Sequence, residues 1–340
     1  PQQGELRVDA QQWSMQLPNL FPEPWQYQRA QGLLNWRWSK EQGLQLDSPG
    51  MAVSGEDGDA SATLSLHLPP TGQTPTMDLQ VALRNSQAPA HRAYLPVRSQ
   101  GFSPALATWM AASGVQGQVP LAIFEYHGSL LKGASPEERE IALYAQLRGG
   151  ELVFQTGWPP LTELDADLLL RGGALDIRAS NARLLNAQAS GARVHGQLMN
   201  TTGPLQLQVE SAFDGSVSDA LKLMQDSPLA ELTGNPLAGW SGDGAVSGEL
   251  QLTIPLRRSG DQAAQTQALV EWQLANAQVT IPVLQAPLEA IDGRFRFVRG
   301  KGLSADTLSA RFLGAPVEGQ LTPLGERGQR LQLQGRHSVE

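Results

Sequence analysis

The chain has 340 residues, 41% of them hydrophobic, which is enough to bury a core in one large β unit or in two or three domains. Thirty-five glycines, 23 prolines and only 17% charged residues favour short strands joined by many turns. The net charge of −8 argues against a nucleic-acid partner, and the lack of cysteine excludes disulfides and cysteine-based metal sites or nucleophiles.

Apolar and polar residues alternate with a period of two along most of the chain. In chain order, the pattern is seen in GELRVDA, LNWRW, ATLSLHL, MDLQVAL, IALYAQL, LQLQV, GAVSGELQLTIPL, VEWQL and RFRF. In the longest of these, Val246, Leu250, Leu252, Ile254 and Leu256 fall on one face of a strand. Such alternation predicts antiparallel sheets with one apolar face and one solvated face.

Two segments predict short helices that interrupt the strands. The segment SPALATWMAASG, near 103–113, offers Ser103 as N-cap and Pro104 at the first helical position. The segment SVSDALKLMQDSP, near 218–226, begins at Ser216 or Ser218 and ends before Pro228. We expect each helix to cover an open end or edge of a sheet, or its apolar face.

An internal repeat links two hairpins about 130 residues apart. PLTELDADLLL-RGGAL, at 160–175, aligns with PLEAIDGRFRFVRGKGL, at 287–303, with one inserted residue. The alignment places Asp165 over Asp292, and it continues through 182–187 and 310–315. A looser third copy lies at 29–46. The spacing predicts that each unit contains several hairpins and that the units continue one sheet.

The sequence contains no convincing catalytic or metal-binding motif. Walker, GxSxG and HExxH patterns are absent, and the five histidines, His67, His91, His127, His195 and His337, show no ligand spacing. The acidic stretch 55–61 lacks the glycine and glutamate that a calcium loop needs at its sixth and twelfth positions. We therefore expect no cofactor, no metal and no enzymatic activity.

Five motifs follow one another along the chain: SPALATWMAASGVQGQVPLAIFEYHGSL, FQTGWPPLTELDADLLL, GGALDIRASNARLLNAQASG, LKLMQDSPLAELTG and GDGAVSGELQLTIPL. In this order they resemble the middle region of YhdP-type members of the AsmA-like superfamily of Gram-negative bacteria, and the resemblance covers about 90–320. The resemblance implies a mainly β fold, a long curved antiparallel sheet that forms an open hydrophobic groove. We predict three groove units, at 1–100, 101–230 and 231–340, with the two helices in the second.

The resemblance also implies a function in lipid transport. The chain would be a fragment of a periplasmic bridge, anchored in the inner membrane by a helix outside this sequence, that moves phospholipid between inner and outer membranes. Its partners would be phospholipid acyl chains and the two membranes, and not nucleic acid. We expect the groove to be lined by Trp36, Trp38, Leu64, Leu66, Leu152, Phe154, Val246, Leu250, Leu252, Ile254, Leu256, Phe295 and Phe297.

Two alternatives remain open at this point, because a lipid-facing surface and the core of a β-sandwich have the same periodicity. The first is a structural or interaction protein of the envelope, built as a β-sandwich or solenoid, that carries no lipid. The second is an envelope enzyme that acts on polysaccharide along an extended β face. In that case Asp165, Asp167 or Glu249 would supply the acid.

Overall fold

The described part of the chain forms one open antiparallel sheet of 17 strands. The computed structural model describes residues 1–98, 108, 112–198, 205–228, 237–256, 266–324 and 328–336. The strands are β1 Gln2–Met15, β2 Trp25–Ser39, β3 Gly43–Gly55, β4 Gly58–Leu68, β5 Thr76–Gln87, β6 Gln116–Ser129, β7 Arg139–Leu152, β8 Leu161–Arg171, β9 Ala174–Leu184, β10 Ala187–Gln197, β11 Gln206–Ser216, β12 Ser241–Pro255, β13 Gln267–Thr280, β14 Pro287–Val298, β15 Gly302–Phe312, β16 Ala315–Pro323 and β17 Gln329–Gly335. The predicted mainly β, antiparallel fold class is confirmed.

Strands that follow one another in sequence lie side by side in the sheet. Antiparallel registers join each strand to the next from β1 to β7 and from β10 to β17. Residues directly opposite each other in such a pair point to the same face. The alternation within each strand is therefore carried from strand to strand across the sheet.

Two helices lie entirely within the described residues, α1 at His91–Tyr94 and α2 at Val217–Asp226. Short 3₁₀ turns lie at Ala88–Ala90 and Pro282–Leu284. The prediction of α2 is confirmed, with Ser216 as its N-cap. Helix α1 could not be predicted from the sequence, because four residues are too few to show a helical period. The helix predicted near 103–113 lies outside the described residues, apart from Thr108 and Ala112, which are helical.

The fold comprises two compact units. The first contains Pro1–Leu152, Asp165–Ile177 and Gln197–Thr202, and the second contains Val153–Leu164, Arg178–Gly196 and Gly203–Glu340. Strands β1 to β7 thus belong to the first unit and β11 to β17 to the second, while β8 to β10 contribute residues to both. The division into three groove units, at 1–100, 101–230 and 231–340, stays a prediction.

The two hairpins of the internal repeat share unusual backbone conformations. Glu163 in β8 and Ala290 in β14 each follow a proline by three residues, and both have a positive φ, of 51° and 47°. Leu185 and Leu313, after β9 and β15, also have a positive φ, of 56° and 50°. Non-glycine residues rarely adopt this region. Its recurrence at matched positions supports the alignment made from sequence.

An aspartate supports each copy of this hairpin. The Asp165 carboxylate accepts a hydrogen bond from the backbone N–H of Gly149, at 2.8 Å, and the Asp292 carboxylate accepts one from Asn276, at 3.0 Å. Gly149 and Asn276 both have a positive φ, of 56° and 50°. Each aspartate therefore stabilises an irregular residue in the preceding strand, a local role that the sequence repeat did not reveal.

Candidate functional site

The first unit has an apolar face that runs across consecutive strands. Trp36 lies opposite Leu46, Leu46 opposite Leu66, and Leu66 opposite Met77, so these four side chains form one row. Parallel rows extend the face from β2 to β7. We define the first apolar face as Leu34, Trp36, Trp38, Leu44, Leu46, Leu64, Leu66, Leu68, Met77, Leu79, Val81, Leu83, Phe124, Tyr126, Ile141 and Leu143.

The side chains of the first apolar face remain accessible to solvent. Every one of them is at least partly exposed, and Leu68 and Trp38 reach 38% and 41% exposure. A sheet face packed against a second layer would contain fully buried side chains, as protein interiors do. The described residues place no second sheet against this face. The described strands of this unit therefore do not form a β-sandwich.

The opposite face of the first unit is polar. Cross-strand pairs join Asp78 to His127, Gln80 to Glu125 at 2.7 Å, and Asp47 to Ser65 at 2.8 Å. Arg171 donates to Glu140 at 2.7 Å, and this carboxylate raises the pKa of the Arg171 guanidinium. All of these groups are solvated, so each contributes little to stability. Because this face is polar, the first apolar face is the side of the sheet that could contact an apolar ligand.

One end of the first unit is closed by aromatic side chains and α1. The Trp25 indole N–H donates to the Ala93 carbonyl at 2.9 Å, and the rings of Trp25 and Tyr94 lie 5.4 Å apart. Tyr27 is only 7% exposed and Ala30 only 3%. Burial, followed by the hydrogen bond with Tyr94, raises the pKa of the Tyr27 phenol well above its usual range. This end is therefore packed, with Tyr27 and Ala30 at its centre.

The second unit repeats the apolar face on β11 to β17. Leu252 lies opposite both Val209 and Ala268, and Phe295 lies opposite Trp272, with the two rings stacked at 5.7 Å. We define the second apolar face as Leu207, Val209, Phe213, Val246, Leu250, Leu252, Ile254, Val270, Trp272, Leu274, Phe295, Phe297, Leu303, Leu308, Leu321, Leu331 and Leu333.

Helix α2 covers one end of the second apolar face. The buried cluster at this end consists of Val217, Ala277, Val279, Ile281, Leu288, Ile291 and Ala310. Leu221 of α2 and Trp240 pack against it, together with Leu274 of the face. We call this the covered end. On the neighbouring strand β12, toward the opposite end of the sheet, Leu250, Leu252 and Ile254 are only half-buried.

The structure places the predicted lining residues in three settings. Trp36, Trp38, Leu64 and Leu66 lie on the first apolar face, and Val246, Leu250, Leu252, Ile254, Phe295 and Phe297 lie on the second. Leu152 ends β7 and Leu256 follows β12, where it is 41% exposed. Phe154 lies in the connection between β7 and β8 and packs on Trp158, with ring centroids 5.6 Å apart. Their contact with lipid stays a prediction.

The prediction from sequence omitted several residues of the two faces. Val209 and Val270 flank the predicted Leu252 and Phe297, and Met77 and Leu79 flank the predicted Leu66 and Leu64. The signal was available, because these residues belong to strands whose alternation is visible in the sequence. Finding them required the strand register, which places alternating segments opposite one another.

The candidate acids of the enzyme alternative take part in structural contacts or lie on the polar face of the sheet. Asp167 pairs with Arg148 at 2.7 Å, and Asp165 holds the Gly149 N–H. Glu249 lies on the polar face opposite Glu271, which pairs with Arg296 at 3.2 Å. In the described ranges, no three His, Asp or Glu side chains converge as metal ligands. His337 lies outside these ranges.

Comparison with known proteins agrees with the resemblance read from the sequence. The profile of the YhdP protein family matches residues 1–340. The chain is 22% identical, over 315 residues, to the intermembrane phospholipid transporter YhdP of Escherichia coli (strain K12). That match covers 92% of this chain and 24% of the relative, so the chain spans about a quarter of the relative's length.

Two further findings concern solved structures and membrane-spanning helices. No solved structure matches the chain. Among the residues that the structure describes, no helix has the length and apolar character needed to cross a membrane. The family profile extends over both compact units and includes both apolar faces. The chain belongs to the YhdP protein family.

Proposed function

We propose that this chain is part of a phospholipid transporter of the Gram-negative envelope and that its two apolar faces shelter acyl chains. The relative from Escherichia coli is named an intermembrane phospholipid transporter, and the family profile covers the whole chain. In this proposal the parent protein is a bridge in the periplasm, anchored in the inner membrane and reaching toward the outer membrane. The chain performs no chemistry on the lipid.

The observation that carries the proposal is the exposure of the first apolar face. On β3 to β6 each apolar side chain of that face is partly exposed. The opposite face of the same strands is the polar one, so the exposed apolar face is not needed to keep the sheet in contact with water. A soluble protein rarely leaves a large apolar patch uncovered unless it binds a partner there. The face extends over several strands, so it suits a long hydrocarbon better than a compact ligand.

The free energy of lipid desolvation explains why such a surface is needed. Each methylene transferred out of water contributes about 0.8 kcal/mol, so a chain of some 16 carbons costs on the order of 12 kcal/mol when exposed. A phospholipid therefore crosses water slowly without help. Each added hairpin extends the apolar face by two strands, or about 10 Å. Repeating the hairpin lengthens the sheltered surface without any new chemistry.

A lipid-extraction experiment tests the proposal. The purified chain is incubated with phospholipid vesicles and separated from them, and its bound phospholipid is measured by mass spectrometry. We expect the wild-type chain to retain phospholipid and Leu66→Asp and Leu252→Asp to retain several-fold less, because each places a charge on an apolar face. Thr253→Asp is the matched control, since Thr253 points to the polar face beside Leu252.

The outcome distinguishes a transporter from a structural protein. A wild-type chain that never retains phospholipid, or a Leu252→Asp chain that retains as much as Thr253→Asp, contradicts the proposal. Circular dichroism and thermal melting of each variant check that the sheet remains folded. Global unfolding caused by Leu252→Asp would show that this side chain belongs to an ordinary core instead of a ligand-binding surface.

A further inference from the structure

We propose that α2 is a fixed end-stop on the second apolar face, so that acyl chains bind only the part of this face that α2 leaves open. The open part is lined by Leu207, Val209, Leu250, Leu252, Val270 and Phe297. The inference rests on the proposed function, because it specifies where within the second unit the hydrocarbon lies.

Two residues of β12 show the division most clearly. Val246 and Leu252 point to the same face, since both belong to the same alternating set and their registers with β11 are continuous. They lie six residues apart, or about 20 Å along the strand. Val246 is 6% exposed, whereas Leu252 is half-buried. The same apolar surface is therefore dry at one end and accessible at the other.

The covered end is occupied by the protein's own side chains. Val217, at the start of α2, is 5% exposed, and Ala277 beneath it is fully buried. Leu221, one turn further along α2, packs against the same cluster. An acyl chain entering this end would have to displace contacts that already exclude water. Replacing one buried apolar contact by another removes no further apolar surface from water, so binding there yields no hydrophobic free energy.

Contacts at both ends of α2 hold it in place. At the N-terminus, Ser216 accepts a hydrogen bond from the Asp219 N–H at 3.1 Å, and Asn186 donates to the Asp219 carboxylate at 2.9 Å. Near the C-terminus, the Gln225 amide donates to the carbonyls of Leu237 and Trp240, at 2.8 Å each. Such paired attachments are typical of a fixed cover and not of a mobile lid.

Photolabelling tests the end-stop directly. Vesicles containing a phosphatidylethanolamine with a diazirine in its acyl chain are incubated with the purified wild-type chain and illuminated. The labelled residues are then located by peptide mass spectrometry. We expect adducts on Leu252, Val270 and Phe297, and at least tenfold fewer on Val246 and Ile291. The wild-type chain is used, so no substitution disturbs the face being mapped.

A second arm assigns the boundary to α2. In the Val217→Ser/Leu221→Ser chain, which loses the apolar contacts of α2, we expect adducts to spread to Val246. Circular dichroism must show that the strand content is unchanged. If the double substitution unfolds the protein, the chain with Leu221→Ser alone is the milder variant. If a folded chain that carries Leu221→Ser, alone or with Val217→Ser, still shows no adducts on Val246, the assignment of the end-stop to α2 is overturned.

The remaining outcomes separate this inference from the proposed function. Equal labelling of Val246 and Leu252 in the wild-type chain would overturn the end-stop, while the proposed function would stand. Labelling of neither the first nor the second apolar face would overturn both. Adducts on Leu252 but not on Val246, spreading when α2 loses its apolar contacts, would support both.

Discussion

The covered end of the second unit and the open face of the first unit are built from the same kind of strand, yet they are packed differently. At the covered end, Leu288 and Ile291 are 4% and 5% exposed beneath α2 and its neighbours. On the open face, Leu66 and Leu79 are only half-buried. Leu66 and Leu79 alternate with polar residues, whereas Leu288 and Ile291 are separated by Glu289 and by Ala290, which has a positive φ. At the covered end, α2 and Trp240 also pack over the sheet.

This contrast separates two uses of an apolar side chain. A side chain that is covered contributes its full transfer free energy to folding and leaves a cavity when truncated. A side chain that stays half-exposed contributes less to folding and retains apolar surface that a ligand can bury. Under the proposed function, the open face therefore gives up stability for binding capacity, in the way that functional surfaces often do.

Truncating one leucine in each region provides the strongest test of the comparison. We expect Leu288→Ala to lower the free energy of unfolding by about 2–5 kcal/mol, because Leu288 is buried in the cluster under α2. We expect Leu66→Ala to lower it by only about 1–2 kcal/mol, because solvent fills the space left on the open face. Urea denaturation followed by circular dichroism measures both. Equal losses would mean that the first apolar face is covered like a core.

A pair of glycines provides a smaller test, based on side-chain space. A Cβ atom on Gly248 would lie 2.3 Å from the Glu271 carbonyl oxygen and 2.7 Å from the Trp272 Cβ, whereas one on Gly50 would meet nothing within 4 Å. We expect Gly248→Ala to cost about 1–3 kcal/mol through overpacking against Trp272. Gly50→Ala should be neutral or stabilising by up to about 1 kcal/mol. Thermal unfolding of the two variants gives the comparison, and a destabilised Gly50→Ala chain would contradict it.

The sequence predicted the strands and the faces well, because both follow from period-two alternation. Val246, Leu250, Leu252 and Ile254 do share one face, and α2 does begin at Ser216, where a capping side chain precedes an apolar stripe. These features are local, so a short window of residues contains all the information that specifies them.

What lies over a face could not be predicted in the same way. Val246 and Leu252 are equivalent in the alternating pattern, but Val246 is only 6% exposed whereas Leu252 is half-buried. The positive φ of Asn276 and Ala290 was also invisible, because neither residue type demands it. Phe154 was predicted to line the groove together with Leu152, but β7 ends at Leu152 and Phe154 lies in the connection that follows. Tertiary packing decides each of these points.

The smallest loss of stability that we predict concerns the two copies of the repeated hairpin. One copy follows β7 of the first unit and the other follows β13 of the second unit. The Asp165 and Asp292 carboxylates each accept one backbone N–H bond from a residue with a positive φ. We expect Asp165→Ala and Asp292→Ala each to lower the free energy of unfolding by about 1 kcal/mol, with the larger loss at half-buried Asp165.

Asparagine at either position keeps an oxygen acceptor, so Asp165→Asn and Asp292→Asn should recover most of the stability, which urea denaturation can measure. Failure of the asparagine variants to recover it would mean that charge and not the hydrogen bond matters. A loss at only one of the two positions would mean that the copies share backbone geometry without sharing its energetic support. Losses at both positions, each recovered by asparagine, would instead show that the repeated aspartate keeps the same local role in the two units.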